Sequence, residues 1–239
     1  MIEIKNGDCL ELIKHIKDNS VDLVFADPPF NIGYKYDNYK DNKTSKEYED
    51  WCENWIKESY RVLKENGTMW VAIGDEYAAE LCILLKKRLK MRNWVIWHYT
   101  FGNNCTTKFS RCHTHLLYFT KSNKFTFNTN SIRIKSDRQK LGDKRANPLG
   151  KVPSDVWTVS RVCGTFKERC NWHPCQMPLE ILNRIIKACT NKGDFVLDLF
   201  SGSGTTGLSA KELERNFLGF ELSKEYTDKS LERINNIKK

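Results

Sequence analysis

Residues 194–207 read Asp-Phe-Val-Leu-Asp-Leu-Phe-Ser-Gly-Ser-Gly-Thr-Thr-Gly, and no other stretch restricts the fold so tightly. A short apolar, β-prone run is cut off by glycines, and a segment with helical spacing follows from about Thr205 to Leu213. Gly202, Gly204 and Gly207 fit G-x-G-x-x-G. Glycines at these places let a chain leave a strand tightly and approach a ligand closely before entering a helix. Asp198 stands at the expected strand end, and Glu221 closes the next apolar run, "NFLGFEL", nineteen residues after Gly202. An acid at that place accepts hydrogen bonds from ribose hydroxyls. The combination points to a cofactor that contains adenosine, and both a dinucleotide and S-adenosylmethionine fit it. A dinucleotide fold places this motif at its first strand, with a substrate domain after it; here the motif comes late.

The rest of the chain alternates in the same way. Strands are expected at "IEIKNGD", "VDLVFA", "TMWVAIG", "NWVIWHYT" and "HLLYFT". Helices are expected at "CLELIKHI", from a Ser45 cap to about Leu63 with Asn66-Gly67 ending it, at "EYAAELCILLKKRLK", at "PLEILNRIIKACT" and at the C-terminus. Such alternation implies a mostly parallel sheet covered by helices on both faces. One domain is expected over residues 1–239. Periodicity fades from about 121 to 170, where the chain is polar and basic. Residues 131–151 alone carry seven Lys or Arg (Arg133, Lys135, Arg138, Lys140, Lys144, Arg145 and Lys151) against Asp137 and Asp143. This stretch is the candidate insertion.

A second motif sits early. The strand "VDLVF" runs into Ala-Asp-Pro-Pro-Phe-Asn at residues 26–31. Two prolines offer no N–H to a strand ladder, so they end the strand and hold the backbone stiff beyond it. The result is a hook that carries one acid, Asp27, one ring, Phe30, and the carbonyls of Pro28 and Pro29. Tyr34, Tyr36 and Tyr39 follow in a polar loop.

Composition narrows the functional classes. The net charge of +9 favours a polyanionic partner such as nucleic acid. No apolar run reaches the roughly 18–20 residues that cross a bilayer. The opening residues, "MIEIKNGDCLELI", lack a basic segment followed by an apolar one, so a cytoplasmic protein without membrane contact is expected. The nine cysteines include no C-x-x-C pair. Cys105 and Cys112, like Cys163 and Cys170, are seven residues apart, too far for the usual paired zinc ligands, even with His113, His115 and His173 nearby. No metal is expected, and free thiols are the expected state.

Together these motifs resemble the β class of amino-group DNA methyltransferases. "ADPPFN" early, His173-Pro174-Cys175-Gln176-Met177-Pro178 before a helix, and "DLFSGSGTTG" late follow that family's order, in which a D-P-P-Y/F motif precedes F-x-G-x-G. The chain departs from the family's usual H-P-T-Q-K-P by carrying Met177 in place of lysine. "HTHLLYFTK" at 113–121 is also similar to a family segment.

The resemblance implies an S-adenosylmethionine-dependent methyltransferase fold, Rossmann-like, with a seven-stranded sheet and a circularly permuted motif order. It implies methyl transfer to the N6 amino group of adenine in double-stranded DNA, since adenine enzymes of the family usually carry Asp at the first hook position and cytosine-N4 enzymes usually carry Ser or Thr; methylation of cytosine N4 is the alternative, ahead of a non-catalytic DNA-binding protein. The catalytic hook would be Asp27, Pro28, Pro29 and Phe30. The cofactor would lie against Asp8, Cys9, Asp27, Pro178, Asp198, Phe200, Ser201, Gly202, Ser203, Gly204, Thr205, Thr206, Glu221 and Leu222. Asp8 has a second role open to it, as the cap of the helix that follows. A homodimer, a cognate restriction endonuclease and target recognition by residues 121–170 are further implications.

Overall fold

The structure is a computed structural model that describes residues 1–34, 39–99, 102 and 105–236. Tyr36 lies outside the described residues. Eight strands form one sheet in the order β1-β8-β7-β2-β3-β5-β4-β6. They are β1 (Ile2–Asn6), β2 (Val21–Ala26), β3 (Leu63–Ile73), β4 (Lys90–His98), β5 (His113–Thr120), β6 (Val156–Thr158), β7 (Phe195–Asp198) and β8 (Asn216–Glu221). All neighbours run parallel except β5, which is antiparallel to β3 and β4. Seven of the strands are the expected ones. The eighth, β6, is a three-residue edge strand contributed by the basic stretch.

All six residues of β2 are buried, as a central parallel strand covered on both faces requires. Successive side chains go to opposite faces. Val24 and Ala26 enter one cluster with Tyr48, Trp55 and Leu197, under α2 (Ser45–Val62) and α3 (Ala78–Lys86). Leu23 and Phe25 enter the other with Val196 and with Ile181, Leu182, Ile185 and Ile186 of α5 (Leu179–Cys189). Those four α5 residues are all fully buried and form one apolar helical face.

Several local expectations shift. α1 (Cys9–Leu12) is a single turn continued by a 3-10 turn at Ile13–His15. Thr44, not Ser45, caps α2: its hydroxyl accepts from Glu47 N, and the Glu47 carboxylate accepts from Thr44 N. Asn66-Gly67 does not end that helix. Val62 does, and the two residues fall inside β3, where its pairing with β2 shifts between Val21 and Leu23. A Cβ on Gly67 would meet Leu63 Cδ2 at 2.2 Å and the Lys64 carbonyl oxygen at 2.9 Å, so a side chain here would force this tight entry to shift.

The basic stretch is divided by the fold. β5 ends at Thr120, opposite Thr68 of β3 and Lys90 at the start of β4. Lys121 is fastened at that end of the sheet, donating to Tyr60 O, Leu63 O and Asn19 Oδ1. Asn128 then grips the C-terminal end of α5 through Ala188 O, Lys187 O and Thr190 O. The short helix α4 (Asp137–Lys140) and the Ile134–Lys151 bridge order the part between. The chain comes up to the opposite end of the sheet only through β6, reaching it near Arg161. No described helix is long and apolar enough to cross a membrane.

Candidate active site

β2 and β7 are neighbours, with Phe25 in register with Asp198. After β2 the chain departs toward β3, and after β7 it departs toward β8, on the other side. Loops that leave adjacent parallel strands in opposite directions open a crevice at the strand ends. Motifs about 170 positions apart in the sequence therefore face each other there. The crevice is a cleft of about 740 Å³.

The hook forms one wall. Tyr48, from α2, donates its hydroxyl to Pro29 O at 2.7 Å. No hydrogen bond among the described residues reaches the Pro28 carbonyl or the Asp27 carboxyl, and both residues line the cleft. Phe30 packs where Gly74 ends β3: a Cβ on Gly74 would sit 3.0 Å from Phe30 Cδ2. Asn31 adopts φ 57°, the left-handed region that asparagine tolerates better than most residues. A single acid holds this bend. The buried Asp41 accepts from Asn31 N at 2.8 Å and from Ile32 N and Tyr34 N, each at 3.0 Å. The Asn31 side chain closes the loop onto Lys43 and Tyr77.

The glycine turn forms the facing wall. Gly202 has φ 49° and Gly204 has φ 74°, both conformations that favour glycine. Glu221 Oε2 accepts from Gly202 N at 2.9 Å and Oε1 from Ser223 N at 2.8 Å. α7 (Lys224–Asn235) braces the turn from outside, with Ser230 donating to Gly202 O and Arg233 to Ser203 O. His173 closes over it, since a Cβ on Gly202 would lie 3.0 Å from His173 Nε2. The Phe200 ring is gripped by Trp51 at 5.5 Å and Trp55 at 5.8 Å.

Of the residues expected to meet a cofactor, Asp8, Cys9, Asp27, Phe200, Ser201, Gly202, Ser203, Glu221 and Leu222 line the cleft. Asp8 also caps α1, accepting from Leu10 N at 2.7 Å. Pro178, Asp198, Gly204, Thr205 and Thr206 stand behind the lining. Pro178 precedes α5 as its N-cap. Gly204 caps α6 (Thr205–Glu212), and Thr205 receives Arg233. Asp198 is 2% exposed and holds the turn by accepting from Phe200 N at 3.0 Å and from the Thr206 hydroxyl. Tyr34 and Tyr39 reach the cleft as well, as do Trp51 and Cys175, which the sequence reading did not single out for this role. A sequence signal existed for one of the supports: Thr44-x-x-Glu47 is a capping box.

The site concentrates acids at one end of the sheet. Burial, reinforced by the Asp198 carboxylate, pushes Asp27 up to about 8, although one edge of the residue stays open to the cleft. Burial likewise pushes Asp198 up to about 6 and raises Glu221 against the two backbone N–H groups that favour its charge. Burial pushes the Cys9 thiol up to about 12, so it is not an activated nucleophile. Among the described residues no cluster of His, Cys, Asp and Glu could hold a metal ion.

A hook with unspent acceptors facing a glycine turn across a crevice is the arrangement of a group-transfer enzyme. Residues 21–232 match the sequence profile of the DNA methylase family N6_N4_Mtase, and the chain belongs to that family. It is 37% identical over 231 residues to the type II methyltransferase M.HpaI of Haemophilus parainfluenzae, covering 95% of this chain and 72% of that one. It is 35% identical over 241 residues to the DNA adenine methyltransferase YhdJ of Escherichia coli strain K12, covering 97% of this chain and 82% of that one. The solved M1.HpyAVI–SAM complex superposes with a TM-score of 0.66 at 25% identity, covering 98% of this chain and all of that one.

Proposed function

We propose that the protein transfers a methyl group from S-adenosylmethionine to the N6 amino group of adenine within a specific short sequence of double-stranded DNA. The observation that carries this reading is the hook: Asp27 and the Pro28 carbonyl are both unengaged, while the neighbouring Pro29 carbonyl is tied to Tyr48. The rigid prolines thus hold two acceptors ready for the two N–H groups of one exocyclic amine.

The cleft suits an adenosine-bearing donor. Gly202 leaves a cradle that a Cβ would fill, and Glu221, fixed by two backbone N–H groups, keeps lone pairs for ribose hydroxyls. Asp8, Cys9, Trp51 and Leu222 would surround the nucleoside, with Phe200 to Ser203 along its tail. When bound, the donor supplies a methyl group already activated by a sulfonium charge. Asp27 and Pro28 would accept from the target amine and localise the lone pair that the aromatic ring otherwise draws away. A positive charge entering the cleft favours the ionised form of Asp27, so its strength as an acceptor rises when the donor is in place. The amine would take up the methyl group that the donor supplies, the sulfur keeping the bonding pair, and Asp27 would be placed to take the proton that the amine sheds. Phe30 offers a face for the base, which must leave the duplex to reach the hook.

Asp27 at the first hook position and the adenine specificity in the name of YhdJ favour N6-adenine over cytosine N4. A homodimer would lengthen the DNA footprint, a cognate restriction endonuclease fits the type II naming of M.HpaI, and the reading places the protein in the cytoplasm. The test is methyl transfer from isotope-labelled S-adenosylmethionine to mixed-sequence duplex DNA, with the digested nucleosides identified by mass spectrometry. Label is expected in N6-methyladenine and is expected to vanish with Asp27→Ala. Label in N4-methylcytosine would overturn the base assignment, and no label in DNA would overturn the reading.

A further inference from the structure

Among the described residues, three cations line the cleft: Lys108, Arg111 and Arg161. They differ in what they have left to give. Arg111 is spent on two acids beyond β3, Asp75 at 2.7 Å and Glu76 at 2.9 Å. Lys108, exposed like Arg161, has no aromatic ring against it among the described residues. Arg161 has neither an ion pair nor a hydrogen bond among the described residues, yet it is well supported. Its guanidinium carbon lies 5.2 Å from the centre of the Tyr99 ring. That ring is 7% exposed and fixed, with its hydroxyl donating to His113 O at 3.0 Å. The backbone leading into Arg161 is pinned too: Val159 N donates to His98 O, and Trp97 Nε1 donates to Val159 O at 2.7 Å.

The position is as informative as the support. Arg161, Cys175 and the hook residue Asp27 all line the same cleft. A flat guanidinium stacked on a fixed ring, with its N–H groups unspent, is prepared for bidentate contact with an anion. A nucleotide whose base reaches Asp27 brings its own phosphates to the rim of the same cleft.

We propose that Arg161 binds a backbone phosphate of the flipped target nucleotide, fixing how far the base enters the cleft. This inference rests on the DNA-methylation reading above. It also separates two sources of positive charge. Residues 131–151 supply much of it, but none of them lines the cleft.

Binding of a duplex substrate to the full chain is measured across a salt series for the wild type, Arg161→Ala and Arg161→Lys, with S-adenosylmethionine affinity by calorimetry as the control for an intact fold. Arg161→Ala is expected to weaken DNA binding about ten-fold and to lower the slope of log K against log salt by about 1. Cofactor affinity should stay unchanged, and Arg161→Lys should recover only part of the loss, because a point charge still attracts a phosphate but cannot make the bidentate, ring-stacked contact. DNA affinity and salt slope that stay at wild-type values in Arg161→Ala would overturn the proposal. So would an Arg161→Lys variant as weak as Arg161→Ala with altered sequence preference, which would mean a base contact. A wild type that binds duplex and cofactor but methylates nothing would instead overturn the reading of the reaction, since the Arg161 comparison is read without turnover.

Discussion

The crevice at the strand ends and the basic segment 131–151 are both rich in groups that could meet a ligand, but they treat those groups in opposite ways. In the segment many charges are answered internally. Lys140 and Lys151 meet Asp137, Arg145 meets Asp143, and Arg133 donates to Gly150 O. In the crevice the supporting residues are satisfied, while some of the groups presented to it have no hydrogen bond or ion pair among the described residues. Tyr48, Asp41 and Asp198 spend their hydrogen bonds on backbone, while Asp27, the Pro28 carbonyl and Arg161 keep theirs. A site is recognised less by how much polar chemistry a stretch carries than by how much of it the fold leaves unspent.

The sharpest way to break this comparison is to remove an unspent group. Asp27→Ala should lower kcat by about 10³-fold or more, because an acceptor placed where charge develops in the transition state is among the largest single contributions an enzyme makes. Calorimetry should show that the cofactor still binds, with an affinity lowered far less than kcat. A kcat within ten-fold of the wild type would put the chemistry elsewhere.

A smaller loss is expected from a supporting group. Asp41→Ala strips the acceptor from three backbone N–H groups of the bend after the hook. Hydrogen bonds to a charged group contribute about 1.5–3 kcal/mol each, less where water replaces them. We expect a loss of about 2–4 kcal/mol in urea denaturation, with kcat reduced by about 10–100-fold as the hook loosens. Stability that falls while kcat holds would show that the bend is not what aligns the hook.

The hook should also cost stability in a pH-dependent way. Asp27 has its pKa raised to about 8 in the folded chain, so the folded state holds that proton more tightly than the unfolded state does. Its contribution is favourable below the unfolded carboxylate range near pH 4 and is lost as pH rises toward 8. Asp27→Asn removes the ionisation. Its melting temperature should match the wild type near pH 4 and exceed it by several degrees near pH 8. A constant offset across that range would mean that the carboxyl is not held above its ordinary range.

How much of this was legible in the sequence depends on the scale of the signal. The hook and the glycine turn could be read because prolines and glycines at strand ends have few other uses, and strand alternation implied that the ends would share one side of a sheet. The neighbours of those ends were harder to read. β6 is three residues long, too short for any periodicity, and forms because Trp157 is buried under Arg184. The cap at Thr44 was missed by one residue, since Ser45 offers the same hydroxyl and only Glu47, three positions on, tells them apart. Asp41 gave no signal in its own type, because its partners are backbone groups that any sequence supplies. The stretch 121–170 reads as one unit because its charge is continuous, whereas the fold sends its parts to opposite ends of the sheet.

The smallest effect is expected where the sequence looks most like a nucleic-acid site. Lys135, Arg138 and Lys144 are exposed, and none has an ion pair among the described residues. Charge counting alone would make their joint replacement by alanine three times as damaging as Arg161→Ala. Their position argues the reverse. A charge stabilises bound DNA mainly within about a Debye length, roughly 10 Å at 0.1 M salt, and these three lie on the segment that enters from the strand-start end of the sheet. The triple variant should keep cofactor affinity and kcat, weaken duplex binding less than about three-fold at 0.1 M salt, and shift the salt slope less than Arg161→Ala does. A triple variant that loses more duplex affinity than Arg161→Ala would mean that DNA wraps past the cleft onto the far side of the sheet. The contrast between spent and unspent charge would then describe only the reacting base, and the footprint on DNA would be set by net charge along the whole path.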